Sequence, residues 1–281
     1  MEDVETLGVR DYLLSFEALA RFAVQDEDPD VRIPAVRTLW EFEGPDLIPI
    51  FLGLLQSQHQ DEVRAVAATA LGQFVYKGEL EEISRKTCRE VEDRLLEVYH
   101  HAGSSLIRRR ALEALGYSSR QEIPPLIEAA YQAEDNEWLV SALFAMGRSA
   151  NERWRPQVME MLEHRHPVVR AEAARAAGEL EIDNAVPLLL ELLDDPNESV
   201  HMAAIWSLSQ IGGEGVRERL EALYEASDQE QEMEYIEAAL DNLTFTEGVG
   251  MFKLFDFSGM GEDDSFEDDL LDIMDQEDED Y

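Results

Sequence analysis

One pattern returns along almost the whole chain and fixes what it can fold into. Its clearest copy is His166 to Leu180, HPVVRAEAARAAGEL. With Val169 as anchor, Arg170 follows at +1, Ala173 at +4, Ala174 and Ala177 at +5 and +8, and Gly178 at +9. The same frame starts at Val31, Val63, Ile107, Trp138 and Val200, and all six residues at +4 are Ala: 35, 67, 111, 142, 173 and 204. The anchors are 32, 44, 31, 31 and 31 residues apart. A period of this size, held over six copies, marks a stacked repeat array rather than a single globular core.

The spacing inside each copy chooses helix, because apolar residues at 0, +4, +5, +8 and +11 share one face of a 3.6-residue turn. Ala at +4 lets a neighbouring backbone come close, and Gly or Ser near +9 is expected towards the helix end. A second apolar-periodic segment precedes each copy, as in Leu47–Leu55, Pro124–Ala133, Pro156–Leu162 and Val186–Leu193. Polar turns such as Asp26-Glu27-Asp28-Pro29-Asp30 and Asp194-Asp195-Pro196-Asn197-Glu198 separate the two. Pro49, Pro124, Pro156 and Pro187 fall at matching places, where a first helical turn tolerates a missing amide.

Two-helix units of about 31 residues, with V-R-x-x-A-x-x-A-[LA]-G on the second helix, resemble HEAT repeats. They are most similar to the short bacterial type named after phycobilisome-lyase subunits. The resemblance covers roughly residues 12–243 and implies an all-α fold, an α-solenoid of about seven two-helix repeats. It also implies that the second helices line a concave face. The fold hosts many functions, so it carries no activity by itself.

Three stretches depart from the period. The third unit gains about 13 residues between Lys77 and Val91, which predicts one lengthened helix from about Leu80 to His101 with Leu80, Ile83, Thr87, Val91, Leu95 and Val98 as its stripe. It is either a tolerated insertion or a projecting end that a partner grips. The seventh unit, Val216–Tyr224 then Met233–Leu243, is degenerate, as a terminal cap must be. The array therefore spans 1–243, and residues 244–281 form an acidic tail with fourteen Asp or Glu against Lys253. That composition does not fold alone. The tail nevertheless carries apolar clusters at 251–257 and at Phe266, Leu270, Leu271, Ile273 and Met274, the latter on one side of a potential amphipathic helix.

Net charge narrows the partners. At -39 over 281 residues the chain repels nucleic acid, whose binding requires Lys and Arg, and anionic membrane surfaces. No apolar run reaches the length of a membrane span, and the acidic first residues lack a signal-peptide core. With Cys88 as its single cysteine, the chain has no internal disulfide and no multi-cysteine metal site. A cytoplasmic protein with a protein partner is the expectation.

Against this background the six second-helix windows are basic: eight Arg and two Glu between anchor and +9, a surplus of +6. Two assignments stand side by side. Arg32, Arg64, Arg108 and Arg170, all at +1, can pair with turn carboxylates such as Asp30 or Glu62, or with those of the adjacent unit, as a ladder that sets stacking. Arg37, Arg109, Arg110 and Arg175 can instead form an anion-attracting strip, with Phe144 and Trp206 at +6 as aromatic anchors or as space-fillers. Combined, the two charge asymmetries predict that the tail folds back on this groove through Phe266–Met274 and competes with an acidic partner. The simpler alternative is a solubilising extension.

Catalytic signatures are not found. No His-Glu dipeptide of the deoxyhypusine-hydroxylase type occurs, and Glu163-His164 is single and reversed. Cys88 has Arg85, Lys86 and Arg89 nearby but no adjacent His, and reads as a plain thiol. Phosphate-loop, dinucleotide and nucleophile-elbow motifs are missing. The sequence thus predicts a non-catalytic binding scaffold without metal or cofactor. The alternatives are a bilin-lyase-like or hydroxylase-like subunit, by family analogy, or an acidic DNA mimic.

Overall fold

In a computed structural model, residues 16–254 except residue 57 are described, with side chains to residue 246. The tail motif Phe266, Leu270, Leu271, Ile273 and Met274 lies outside the described residues, as does the lead-in. Fourteen α-helices and no strand are present among them. They are α1 (16–23), α2 (Pro29–Trp40), α3 (Ile48–Leu54), α4 (Asp61–Glu79), α5 (Arg85–His101), α6 (Ser105–Leu115) and α7 (Ile123–Tyr131). There follow α8 (Asn136–Arg148), α9 (Arg155–Met161), α10 (Pro167–Glu179), α11 (Val186–Leu192), α12 (Glu198–Ile211), α13 (Val216–Ala226) and α14 (Glu230–Leu254). Two helices to a unit makes seven units, in agreement with the solenoid expected from the repeats.

Helix starts follow the local chemistry. Asp28, Ser84, Asp135 and Asn197 each accept a first-turn amide through the side chain, supplying a donor-rich helix end with its missing acceptor. Pro49, Pro124, Pro156 and Pro187 stand in the first two positions of α3, α7, α9 and α11.

The core is one continuous seam. Consecutive even-numbered helices, α2 through α14, pack side by side, while odd-numbered helices lie mainly against their even partners. They run parallel: Tyr235 reaches the Met202 carbonyl and Asn242 the Ser209 carbonyl, both across 33 residues. All six alanines at +4 are buried, at 0–4% exposure. Three of the +9 glycines stand near helix ends as expected: Gly116 caps α6, and Gly147 and Gly178 are one residue short of the ends of α8 and α10. Gly72 lies inside α4, and none of Gly72, Gly116, Gly147 or Gly178 has a positive φ. A methyl on each would come within 3.2, 2.8, 3.1 and 2.9 Å of the Cα of Ala114, Ala145, Ala176 and Ser207. These are the +7 residues of the next unit. The glycines therefore set how closely successive even helices approach, in addition to standing near helix ends.

The third unit corrects one expectation. There is no single helix from Leu80 to His101. α4 instead runs on to Glu79, and Glu81 turns the chain at φ 60. The Glu82 amide closes back on the Lys77 carbonyl at 2.9 Å, and Ser84 then caps α5. The same device ends α10: Glu181 stands at φ 45 and Ile182 closes on Ala177 at 3.0 Å. Both stops read Gly-Glu-Leu-Glu, at Gly78 and at Gly178. Val91, Leu95 and Val98 do line the buried side of α5, but Leu80 is exposed.

Candidate functional site

At about 100° per residue, positions +3, +6 and +10 of each even helix share one side, turned away from the +4 and +8 core positions. That side is the even-helix face. It carries Arg37, Val66, Thr69, Arg110, Glu113, Tyr117, Phe144, Arg148, Glu172, Arg175, Glu179 and Trp206.

The +1 residues leave this face for the turns between units. Arg32 donates to the carbonyls of Asp26 and Glu27 and to the Gln60 side chain of the next unit. Arg108 donates to the Tyr99 carbonyl at 2.8 Å and lies 5.4 Å from the Trp138 ring centre in the next unit. Arg170 donates to the His164 carbonyl and holds Asp195 of the next unit with two nitrogens, at 2.8 and 3.0 Å. His201 replaces Arg in the sixth unit and bridges the Leu193 carbonyl to Glu232. Arg64 binds the Leu55 carbonyl and approaches Asp61 at 3.5 Å, both within its own unit. Backbone carbonyls thus take most of these guanidinium bonds. Asp30 and Glu62, named from sequence, take none of them among the described residues; Asp195 does.

Arg109 also leaves the face. Position +2 lies within about 20° of +9 on the helical wheel, so its side chain enters the seam towards the next unit. It is 9% exposed and pairs with Glu137 at 3.0 Å. The arginines that stay are Arg37, Arg110 and Arg175, joined by Arg148 at +10. Three of them are paired: Arg110 with Glu113 at 2.5 Å, Arg175 with Glu172 at 3.0 Å and Arg148 with Glu179 at 3.3 Å. The locally basic groove expected from sequence is in fact a mosaic of ion pairs. Burial pushes the carboxyls of Glu172 and Glu179 above the usual range, with Arg175 and Arg148 respectively opposing it. Arg148 also lies 5.0 Å from the ring of Phe144 and 5.4 Å from Tyr117, so Phe144 serves as a packing platform.

Three aromatic residues remain open on this face, among them Tyr76, 47% exposed and 5.1 Å from the Tyr117 ring. Trp206 is 39% exposed, 6.2 Å from the Tyr235 ring. Trp40, at +9, stands at the seam edge of the face, 49% exposed and lining one recess with Arg37 and Thr69. It occupies the +9 place held by Gly72, Gly116, Gly147, Gly178 and Ser209 in the next five units. An indole cannot enter the close approach those residues permit, and a recess of about 480 Å³ lies between α2 and α4. Val36, Val66 and Ala70 form its apolar lining, and Arg37, Glu41, Thr69 and Arg110 line it as well. Arg37 is exposed and makes no ion pair among the described residues. Sequence reasoning missed Trp40, whose signal was a Trp where every other unit has Gly or Ser. It missed Arg148 and Glu179 because they lie one residue beyond the +9 window.

The other chemistry-bearing residues do not assemble. Cys88 is buried against Gly78, and burial together with Glu92 and Glu79 raises its thiol to about 11, away from reactivity. His164 accepts the His166 amide at 3.2 Å within the turn. Among the described residues, no group of three His, Cys, Asp or Glu could hold a metal, and no helix is long and apolar enough to cross a membrane.

Comparison with known proteins supports the repeat assignment. A family profile described as HEAT repeats matches residues 16–116, 123–184 and 155–240. No curated protein matches. Among solved structures, the complex of CpcE and CpcF of phycocyanin lyase from Nostoc sp. PCC7120 is 18% identical, with 81% of this chain and 94% of that chain covered and a TM-score of 0.53. YibA of Escherichia coli is 18% identical over 87% and 98%, with a TM-score of 0.47. Human deoxyhypusine hydroxylase is 19% identical over 83% and 88%, with a TM-score of 0.40. At these identities the likeness is one of fold. The profile spans most of the chain, and the chain belongs to the HEAT-repeat family.

Proposed function

We propose that the protein is a non-catalytic scaffold that binds a protein partner through its even-helix face. The observation that carries this reading is the pair of open tryptophans, Trp40 and Trp206, on a face that also leaves Tyr76 open and Arg37 without an ion pair among the described residues. A half-exposed indole leaves apolar area in water, and Trp beside Arg is the composition of interface anchors. Stacked repeats offer such a face over many units without a deep pocket. CpcE and CpcF form a complex with each other, so a relative in fold uses a similar framework for protein association. The proposed setting is the cytoplasm, in keeping with a single cysteine.

The test compares proteins captured by the parent chain with those captured by Trp40→Ala/Arg37→Glu and by Trp206→Ala, using quantitative mass spectrometry. Specific partners are expected to fall at least tenfold with the first variant. Unchanged capture by both variants would contradict the reading. Turnover of a bilin or of a hydroxylation substrate by the purified protein would contradict its non-catalytic half.

A further inference from the structure

The recess between α2 and α4 is written into the sequence. Five of the six anchored units keep Gly or Ser at +9, and only unit one places an indole there. Unit two answers with the small residues Val66, Thr69 and Ala70 on the facing side. Pro34 adds to the departure by removing an intrahelical donor from α2. The result is a recess lined by apolar Val36, Val66 and Ala70 and by two arginines, Arg37 on α2, which has no ion pair among the described residues, and Arg110 on α6, which is already paired with Glu113. That chemistry takes an acidic segment carrying aliphatic or aromatic anchors, with carboxylates on the arginines and a side chain on Trp40.

We infer that the chain's own C-terminal segment, residues 266–274, occupies this recess in the free protein, so that a partner must displace it. The inference rests on the even-helix face being the binding surface. Residues 255–281 contain thirteen Asp or Glu and no Lys or Arg, interrupted by Phe266, Leu270, Leu271, Ile273 and Met274. This is the chemistry that the recess selects.

Reach also fits. The even helices are parallel, Asn242 is level with the +9 place, and α14 runs on 12 residues to Leu254, about 18 Å beyond the edge where α2 ends at Trp40. From α14 to α4 is five helix spacings, about 40–50 Å at roughly 8–10 Å each, which together with that overshoot at right angles makes about 44–53 Å. The 16 residues from Leu254 to Leu270 span up to about 53–58 Å when extended. The earlier cluster at 251–257 ends only three residues beyond α14 and falls far short. The second cluster is therefore the occupant.

The experiment uses the full chain with a nitroxide on Gln276→Cys; buried Cys88 stays unlabelled. The four Trp indole signals, assigned by Trp→Phe variants, are read by NMR. Broadening is expected to be strongest at Trp40, to persist on tenfold dilution, and to be lost with Arg37→Glu/Arg110→Glu or with Leu270→Asp/Leu271→Asp. The tail pair leaves the array untouched and guards against a folding artefact. Broadening at Trp206 equal to or above that at Trp40 would overturn the inference. So would broadening that appears only between labelled and unlabelled chains, which would assign the segment to a second copy. This readout needs no partner. Loss of the tail contact with partner capture still sensitive to Trp40 would therefore leave the binding face standing, and the reverse result would remove the face and keep the contact.

Discussion

A methyl group at Gly116 tests how the array is held together. A Cβ there would meet the Ala145 Cα at 2.8 Å and its carbonyl oxygen at 3.0 Å. Both are backbone atoms, which no rotamer change can move aside. Ordinary contact needs about 3.5 Å or more between carbons, so α6 and α8 must part by well over half an ångström. Overpacking of this kind costs about 1–3 kcal/mol. Helix propensity favours Ala over Gly by up to about 1 kcal/mol in a helix interior, but Gly116 is the C-cap of α6 and gains little of that. Gly116→Ala is thus expected to destabilise by about 1–2 kcal/mol net. For a chain of this size each kcal/mol lowers Tm by about 2–4 °C. Gly53, inside α3, is the control: nothing lies within 4 Å of its Cβ position, so Gly53→Ala is expected to stabilise by about 0.5–1 kcal/mol. Thermal and urea unfolding of both variants read the two signs. Gly116→Ala at or above parental stability, with Gly53→Ala behaving as stated, would mean that glycine at +9 merely ends helices, and the close-approach reasoning would fail.

Further outcomes follow from the ion pairs. Asp195→Ala removes both bonds to Arg170 and the acceptor for the Asn197 amide. It should cost about 2–3 kcal/mol in urea unfolding, whereas Asp61→Ala, at 3.5 Å from Arg64 and exposed, should cost under about 1 kcal/mol. The raised carboxyl of Glu172 means that the folded chain holds a proton which the unfolded chain has already released, so this group lowers stability as pH rises from the ordinary carboxylate range through its raised value. Glu172→Gln should therefore raise Tm at pH 7–8, with the advantage shrinking as pH falls below the ordinary carboxylate range. A constant or inverted difference across that window would contradict the assignment.

The repeat was legible because it is a pattern of small residues. Ala35, Ala67, Ala111, Ala142, Ala173 and Ala204 can be alike only if every unit meets its neighbour in the same way. The boundary of α5 was harder, since Glu81 must adopt a positive φ and nothing about a glutamate announces that; the repeated Gly-Glu-Leu-Glu was the available cue. Individual arginines were legible by position but not by partner. Arg32, Arg64, Arg108 and Arg170 were read as binders of carboxylate, yet helix ends leave carbonyls without donors, and those carbonyls are nearest. Arg109 was grouped with Arg37, Arg110 and Arg175 because all four lie off the +1 position, although +2 and +3 are a rotation of about 100° apart on a helix. The recess was not legible from any single unit, because the meaning of Trp40 lies in what the other units place at +9.

The most direct test of the even-helix face is hydroxyl-radical footprinting of the purified protein with and without a captured partner. Trp40 and Trp206, open in the free chain, are expected to lose reactivity together on partner binding, while Phe22 on α1, 78% exposed, keeps its own. Protection of Phe22 or other odd-helix side chains, with both tryptophans still reactive, would place the partner on the opposite side and contradict the account.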